Sequence, residues 1–152
     1  MSMQSSIRVQ TQAFDVAEVI DGLRAGNPAV GAIASFIGLV RDLNDGARVE
    51  TMTLEHYPGM TEKAIAGIVA EAMARWALVD ALVIHRHGRL FPGEAIMMVA
   101  TAAPHRGDAF AAAEYLMDYL KSRAPFWKKE LGAEGEVWVP ARDADEDALK
   151  RW

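Results

Sequence analysis

The chain has 152 residues, 51% of them hydrophobic and 24% charged, which is the composition of one globular domain and excludes a disordered or collagen-like chain. Its formal charge of −5 offers no general attraction to nucleic acid or to an anionic membrane, so any anion site is local. With no cysteine there is no thiol nucleophile, iron–sulfur cluster or thiolate zinc site, and any reactive sulfur comes from elsewhere.

Met1 to Phe14 holds one arginine, Arg8, and no long apolar core, so it reads as neither a signal nor a transit peptide. Ser6 to Thr11 alternates as a strand with Ile7 and Val9 on one side, and Asp15 then caps a helix through Val16, Val19, Ile20 and Leu23. After the Gly26-Asn27-Pro28 turn, Ala29 to Val40 reads as a buried strand stopped by Arg41-Asp42 and the loop Asn44-Asp45-Gly46. That run is too short for a membrane span of about 20 residues, so a cytoplasmic location is expected. Val49 to Tyr57 alternates Met52, Leu54 and His56 against Thr51, Thr53 and Glu55, which predicts an exposed β-hairpin.

Thr61 to Ala77 repeats apolar residues at the 3.6 spacing of a long amphipathic helix. Ala81 to His85 and Ala95 to Ala102 are strands joined through Gly88 and the Pro92-Gly93 turn, and Ala109 to Leu120 is helical again, ending near Arg123. Pro125 cannot continue the helical ladder, so Phe126 to Lys129 leaves extended. Val137 to Val139 is a last short strand. Residues 1–152 form one domain, and the order of elements, with hairpins among them, predicts α+β.

From His105 to Lys129 the chain is a basic island in an acidic protein: His105, Arg106, Lys121, Arg123, Lys128 and Lys129 face only Asp108, Glu114 and Asp118. At 100° per residue Lys121 lies about 40° from Met117 and about 20° from Phe110, emerging from the apolar stripe. It reads as a snorkelling lysine at a helix C-terminus, or as a partly desolvated amine whose lowered pKa suits proton exchange. In an extended chain Lys128 points to one side while Trp127 and Lys129 point to the other, so one lysine faces a cleft. Phe126 and Trp127 read as core anchors before ligand-stacking rings. His105-Arg106 after Pro104 is a plain helix start or an anion site of free N–H groups and a guanidinium. Arg41 either clamps an anion or pairs with Asp42 or Asp45. His56, His85 and His87 lack carboxylates at ligand spacing, and no metal site is expected. No phosphate loop, dinucleotide fingerprint or nucleophile elbow occurs.

Five separated motifs then match one family in order: Gly31-Ala32 with Phe36-Ile37-Gly38-Leu39-Val40-Arg41; Leu54-Glu55-His56-Tyr57 with Met60; His85-Arg86-His87-Gly88-Arg89-Leu90; Pro104-His105-Arg106 with Ala109-Phe110; and Tyr119-Leu120-Lys121 with Pro125-Phe126-Trp127-Lys128-Lys129-Glu130. Over nearly its whole length the chain resembles the large, catalytic subunits of molybdopterin synthase, with Gly132 to Trp152 the least diagnostic part. The resemblance implies an α/β hammerhead-type fold and a homodimer at the centre of a heterotetramer. A small ubiquitin-like sulfur carrier binds at each end, its C-terminal Gly-Gly thiocarboxylate entering a pocket. The reaction it implies converts cyclic pyranopterin monophosphate to molybdopterin, one carrier per sulfur, with no metal or other cofactor.

By the same resemblance Lys121 and Lys128 are catalytic, with Lys121 nearest the carrier's terminal carbonyl. Leu39, Val40, Arg41, His105, Arg106, Lys129 and Glu130 bind or border the anions, and Phe36 and Met117 line the pocket. Fifteen residues of helix separate Arg106 from Lys121, about 22 Å at 1.5 Å per residue. A site shared across the dimer, with His105 and Arg106 from the second protomer, is therefore expected. Two rival readings remain: a catalytically silent scaffold for a ubiquitin-like carrier, and an RNA or nucleotide binder that the net charge disfavours.

Overall fold

Alternation at Ile7 and Val9 makes the edge strand β1 (Ile7–Gln10) in the computed structural model of the chain, which describes residues 7–140 and 142–152. The expected start at Ser6, and the first six residues of the Met1 to Phe14 stretch read as neither a signal nor a transit peptide, lie outside the described residues. Asp15 caps helix α1 (Val16–Arg24), its carboxylate accepting from the Glu18 N–H at 3.2 Å. The chain then crosses the sheet to β2 (Ala32–Leu39). Ala29 to Val40 was expected as a buried strand, whereas β2 is the opposite edge strand, with Ser35, Phe36 and Leu39 exposed.

Between them lie β6 (Asp80–Arg86) and β8 (Ala95–Ala103), in the order β1-β6-β8-β2. β1 runs parallel to β6 and the other pairs are antiparallel. Both central strands are apolar without alternation because both faces are covered. Leu82, Ile84, Met98 and Ala100 pack under Val19 and Leu23 of α1. Val83 and Val99 pack under α2 (Met60–Arg75) and α3 (Arg106–Arg123), against Ile65, Val69 and Leu116. Among the described residues no helix is long and apolar enough to cross a membrane.

Asp45 (φ 50°) and Gly46 (φ 80°) form the two-residue turn of a small hairpin, β3 (Leu43–Asn44) with β4 (Ala47–Arg48). The hairpin expected over Val49 to Tyr57 is absent. β5 (Thr51–His56) is instead an inner strand of a second antiparallel sheet, β10-β9-β5-β7, made with β7 (Gly88–Leu90), β9 (Phe126–Gly132) and β10 (Gly135–Val139). Its Met52 and Leu54 enclose a small core with Val40 and Leu90, so the alternation was sound and its buried side was missed. A short helix not expected from the sequence, α4 (Asp143–Ala148), ends in a 3-10 turn at Leu149–Arg151. Asp143, Asp145 and Glu146 in its first turn suit the helix dipole. The whole is α+β, as expected.

Gly31 sits against the turn that starts α3, its N–H bonded to the Ala103 carbonyl at 2.9 Å, and a Cβ there would overlap the Pro104 carbonyl oxygen. Gly31→Ala is expected to lower the melting temperature by several degrees, a cost of about 2 kcal/mol. Gly107→Ala, where a Cβ meets nothing within 4 Å, serves as the control and leaves it unchanged or slightly raised.

Candidate functional site

Three pieces of chain meet around a cavity of about 900 Å³: the exposed end of β2, the last turn of α3, and β9 of the second sheet. Phe36 and Gly38 share the face of β2 that looks toward α3, paired with Val99 and Met97 of β8. Gly38 leaves room there, because an added Cβ would reach van der Waals contact with Phe36 and Met97. Phe36, 44% exposed, forms one wall and Met117 another. Arg41, just beyond β2, and Lys121, on the last turn of α3, add charge to the lining.

Ala124 has extended backbone (φ −78°, ψ 130°) ahead of Pro125, and β9 follows at once. Along β9 the period of two places Phe126, Lys128 and Glu130 on the cavity side. Burial lowers the proton affinity of the Lys128 amine, and the positive charges of Lys121, Arg142 and Arg41 lower it further, while Glu130 opposes them. Glu130 accepts from Asn44 Nδ2 at 2.6 Å, and Arg142 donates to Asn44 Oδ1 at 3.4 Å. Asn44 thus links the strand to the C-terminal segment.

His85 of β6 completes the floor. Its ring stacks on Phe126 with centroids 3.7 Å apart and planes 14° apart. Its Nδ1 lies 2.8 Å from the Arg86 carbonyl, which fixes that nitrogen as the donor and leaves Nε2 as the lone pair. Desolvation holds the His85 pKa down to about 4, with Lys121, His56 and His87 acting in the same direction and the Arg86 hydrogen bond against them. Behind it the rings of His56 and His87 lie 4.3 Å apart, and His56 Nδ1 is 3.1 Å from Thr61 Oγ1. Phe126 thus has His85 stacked on it and His56 tilted beside it, with centroids 6.0 Å apart.

Of the residues anticipated for the site, Phe36, Leu39, Arg41, Met117, Lys121, Lys128 and Glu130 surround this cavity. Val40 does not: it is 3% exposed in the core, its N–H bonded to the Glu94 carbonyl and its own carbonyl to the Gly93 N–H. Lys129 is also elsewhere, on the opposite face of β9, 3.5 Å from Glu136 and 4.9 Å from the centre of the Trp138 ring. His105 and Arg106 are exposed at the other end of α3. Phe110 is 67% exposed, so Lys121 shares an open flank with it and not a packed stripe. Trp127, read as a core anchor, is instead 46% exposed beside Tyr57 and borders the cavity.

Sequence reasoning missed Arg142, Asn44 and the place of His85 in the cavity. The available signal for Arg142 was its isolation, since it is the one basic residue between Lys129 and Lys150.

A family model described as "MoaE protein" matches residues 9–123. A protein of Ralstonia nicotianae named molybdopterin synthase catalytic subunit is 63% identical over 147 residues, covering 97% of this chain and 84% of that one. A solved structure titled molybdopterin biosynthesis MoaE protein, from Burkholderia ambifaria, superposes with a TM-score of 0.83 at 56% identity, covering 97% of each chain. Molybdopterin synthase from Staphylococcus aureus gives 0.82 at 28% identity, over 92% of this chain and 98% of that one.

The buried histidine predicts an acid-sensitive fold. Between about 6.5, its unfolded pKa, and about 4 the unfolded chain binds a proton that the native chain refuses, so stability falls as pH drops through that window. The contribution lost by pH 4 is on the order of 3 kcal/mol. Urea midpoints taken from pH 7 to pH 4 should fall more steeply for the wild type than for His85→Phe, and parallel curves would refute the assignment.

Proposed function

The chain belongs to the MoaE protein family, and from that premise we propose that it is the catalytic subunit of a molybdopterin synthase. Its reaction is conversion of cyclic pyranopterin monophosphate to molybdopterin, with both sulfurs drawn from the C-terminal thiocarboxylate of a small ubiquitin-like carrier. The observation that carries this reading is the cavity itself. Arg41, Lys121, Lys128 and Arg142 bring four cationic side chains to a partly apolar pocket with two carboxylates, Glu130 on the same strand face as Lys128 and Asp145 on α4. Both reactants, a phosphate ester and a thiocarboxylate, are anions that such a pocket gathers and holds.

Sulfur leaves an acyl carbon when another nucleophile replaces it, and in this reading that nucleophile is water. Each transfer forms a carbon–sulfur bond at a substrate carbon whose carbon–oxygen bond breaks, the oxygen leaving as water or with the opened arm of the phosphate ester. Water then adds to the acyl carbon, the acyl carbon–sulfur bond breaks, and the carrier returns as a carboxylate. Negative charge develops on the carrier's carbonyl oxygen as water adds. An ammonium at the cavity mouth stabilises it, which is the role assigned to Lys121. Lys128, whose proton affinity is lowered by burial and by its cationic neighbours, exchanges protons with the sulfur and with the departing water. Arg41 and Arg142 hold the phosphate. The missing thiol fits, since the nucleophilic sulfur arrives on the partner.

His105 and Arg106 belong to the same chemistry in this reading, but in the second protomer. Lys121 lies fifteen positions beyond Arg106 on unbroken α3, about 22 Å along the axis. The unpaired edge of β2 and the exposed Phe36 and Phe110 offer an apolar surface for a second copy. The working assembly is then a cytoplasmic heterotetramer, two carriers on a central homodimer.

With carrier thiocarboxylate and cyclic pyranopterin monophosphate supplied, dithiolene product read by mass is expected from the wild type. Lys121→Ala should reduce it by about a thousandfold with a melting temperature within about 2 °C of wild type. Carrier binding without product in the wild type would establish a silent scaffold instead. Mixed dimers of Arg106→Ala and Lys121→Ala chains are expected to recover about a quarter of wild-type activity, from the one intact site in each heterodimer. Dimers that form and recover none would refute the shared site.

A further inference from the structure

The C-terminal segment runs from the cavity to the back of the helical layer, and it is held at both ends. At the cavity Arg142 lines the wall, but its hydrogen bond to Asn44 is long, 3.4 Å, and exposed. At the far end the Trp152 ring meets Trp76 and Tyr115 edge-on, each centroid 5.6 Å away, at 88° and 87°. The Arg75 guanidinium lies over Trp76, Tyr115 and Trp152 at 4.9, 5.2 and 6.0 Å. Trp152 Nε1 donates to Asp118 Oδ2 at 2.6 Å; Arg151 reaches the same oxygen at 2.7 Å and also pairs with Glu114.

Between the two ends α4 is fastened along the last turn of α3. Ser122 Oγ donates to the Asp145 carbonyl at 2.9 Å, and Arg123 pairs with both Glu146 oxygens at 2.8 and 2.9 Å. Exposed ion pairs of this kind hold little by themselves. Trp152 is different, because it packs half-buried against the main core and carries a charge-assisted hydrogen bond as well. A six-residue helix has no stability of its own. Upstream, β10 holds the chain as far as Val139, which pairs with Lys128 of β9. Beyond that strand the direction of Arg142 depends on how α4 is seated, since the Arg142 carbonyl accepts from the Asp145 N–H at 3.0 Å.

We propose that Trp152 is a positioning residue: docked between α2 and α3, it seats α4 on the end of α3 and so places the Arg142 guanidinium in the cavity, ten residues back along the chain. The anion site is then completed from the C-terminus, and its fourth cation depends on an aromatic contact on the far side of the helical layer. The catalytic use of Arg142 rests on the function proposed above; the mechanical coupling does not.

Two readouts test it. Trypsin cleavage after Arg142, followed by mass spectrometry against cleavage after Arg24, reports whether the segment is seated. Trp152→Ala should accelerate it by about tenfold, since local opening governs such cleavage. Asp118→Asn, which leaves the aromatic core intact, should accelerate it by a smaller factor, and Trp152→Phe should restore most of the protection. Unchanged cleavage in Trp152→Ala would overturn the proposal, whatever reaction the protein performs.

In the synthase assay Trp152→Ala should raise the KM for cyclic pyranopterin monophosphate about five- to tenfold with kcat within about twofold, matching Arg142→Ala. Adding it to Arg142→Ala should raise KM no further, because the two substitutions remove one interaction. Additive effects would make Trp152 a general stabiliser and refute the coupling. If no variant, wild type included, makes product, the proposed function fails and the cleavage result alone decides the anchor.

Discussion

Pro125 is the pivot of the site. An α-helix and a β-strand carry side chains at different periods, and the change from one to the other at Ala124-Pro125 is what brings Lys121 and Lys128 to one cavity. Were the helix to continue, residues 121 and 128 would lie about 10 Å apart on one face of it, both in water. Instead the chain turns back as β9, pairs with β5 through six residues, and points Lys128 inward while Lys129 faces out to Glu136 and Trp138. Two adjacent lysines therefore meet different solvents.

Gathering cations in a partly buried space has a cost, and the surroundings of the cavity show how it is met. Glu130 lies two residues from Lys128 on the same face and is itself held by Asn44. His85, forming the floor, stays uncharged because burial and the neighbouring positive groups both oppose its protonation. A charged imidazole there would add a further positive group to the four side chains already present. Its neutral ring instead presents an apolar face to Phe126 and one lone pair, so the floor neither repels an arriving anion nor competes for it.

The two sheets divide the work. The first, covered by helices on both faces, is the rigid part: β6 and β8 are buried almost throughout and carry α3 in a fixed position. The second sheet packs through a much smaller core of Val40, Met52, Leu54 and Leu90 and supplies the strand that bears Lys128. The C-terminal segment lies across both regions. Its anchoring residues are distant from the cavity, and its cavity residues are weakly held, so the last turn of the protein reports on the first contact an anion would make.

Much of this was legible in the sequence because it depends on local rules. Helix period, the Asp15 cap, the break at Pro125 and the strand alternation that separates Lys128 from Lys129 all follow from nearest neighbours along the chain, as did the α+β class. Leu39, Phe36, Met117 and Glu130 were anticipated instead through the family resemblance. What the sequence by itself could not determine was which side of each element meets which partner. Val40 stood next to Arg41 in a matching motif, yet its amide and carbonyl are consumed by Glu94 and Gly93. Phe110 was counted with an apolar stripe and proved exposed; Val49 to Tyr57 had the right alternation but an inner place in a sheet whose neighbours are more than thirty residues away. Arg142 sits in an acidic tail and lines the cavity because β10 and α4, each packed on a distant segment, hold the chain on either side of it. Periodicity and capping are set by the chain's own geometry over a few residues, whereas burial, pKa and the company a side chain keeps are set by contacts between distant segments, and those only the tertiary structure decided.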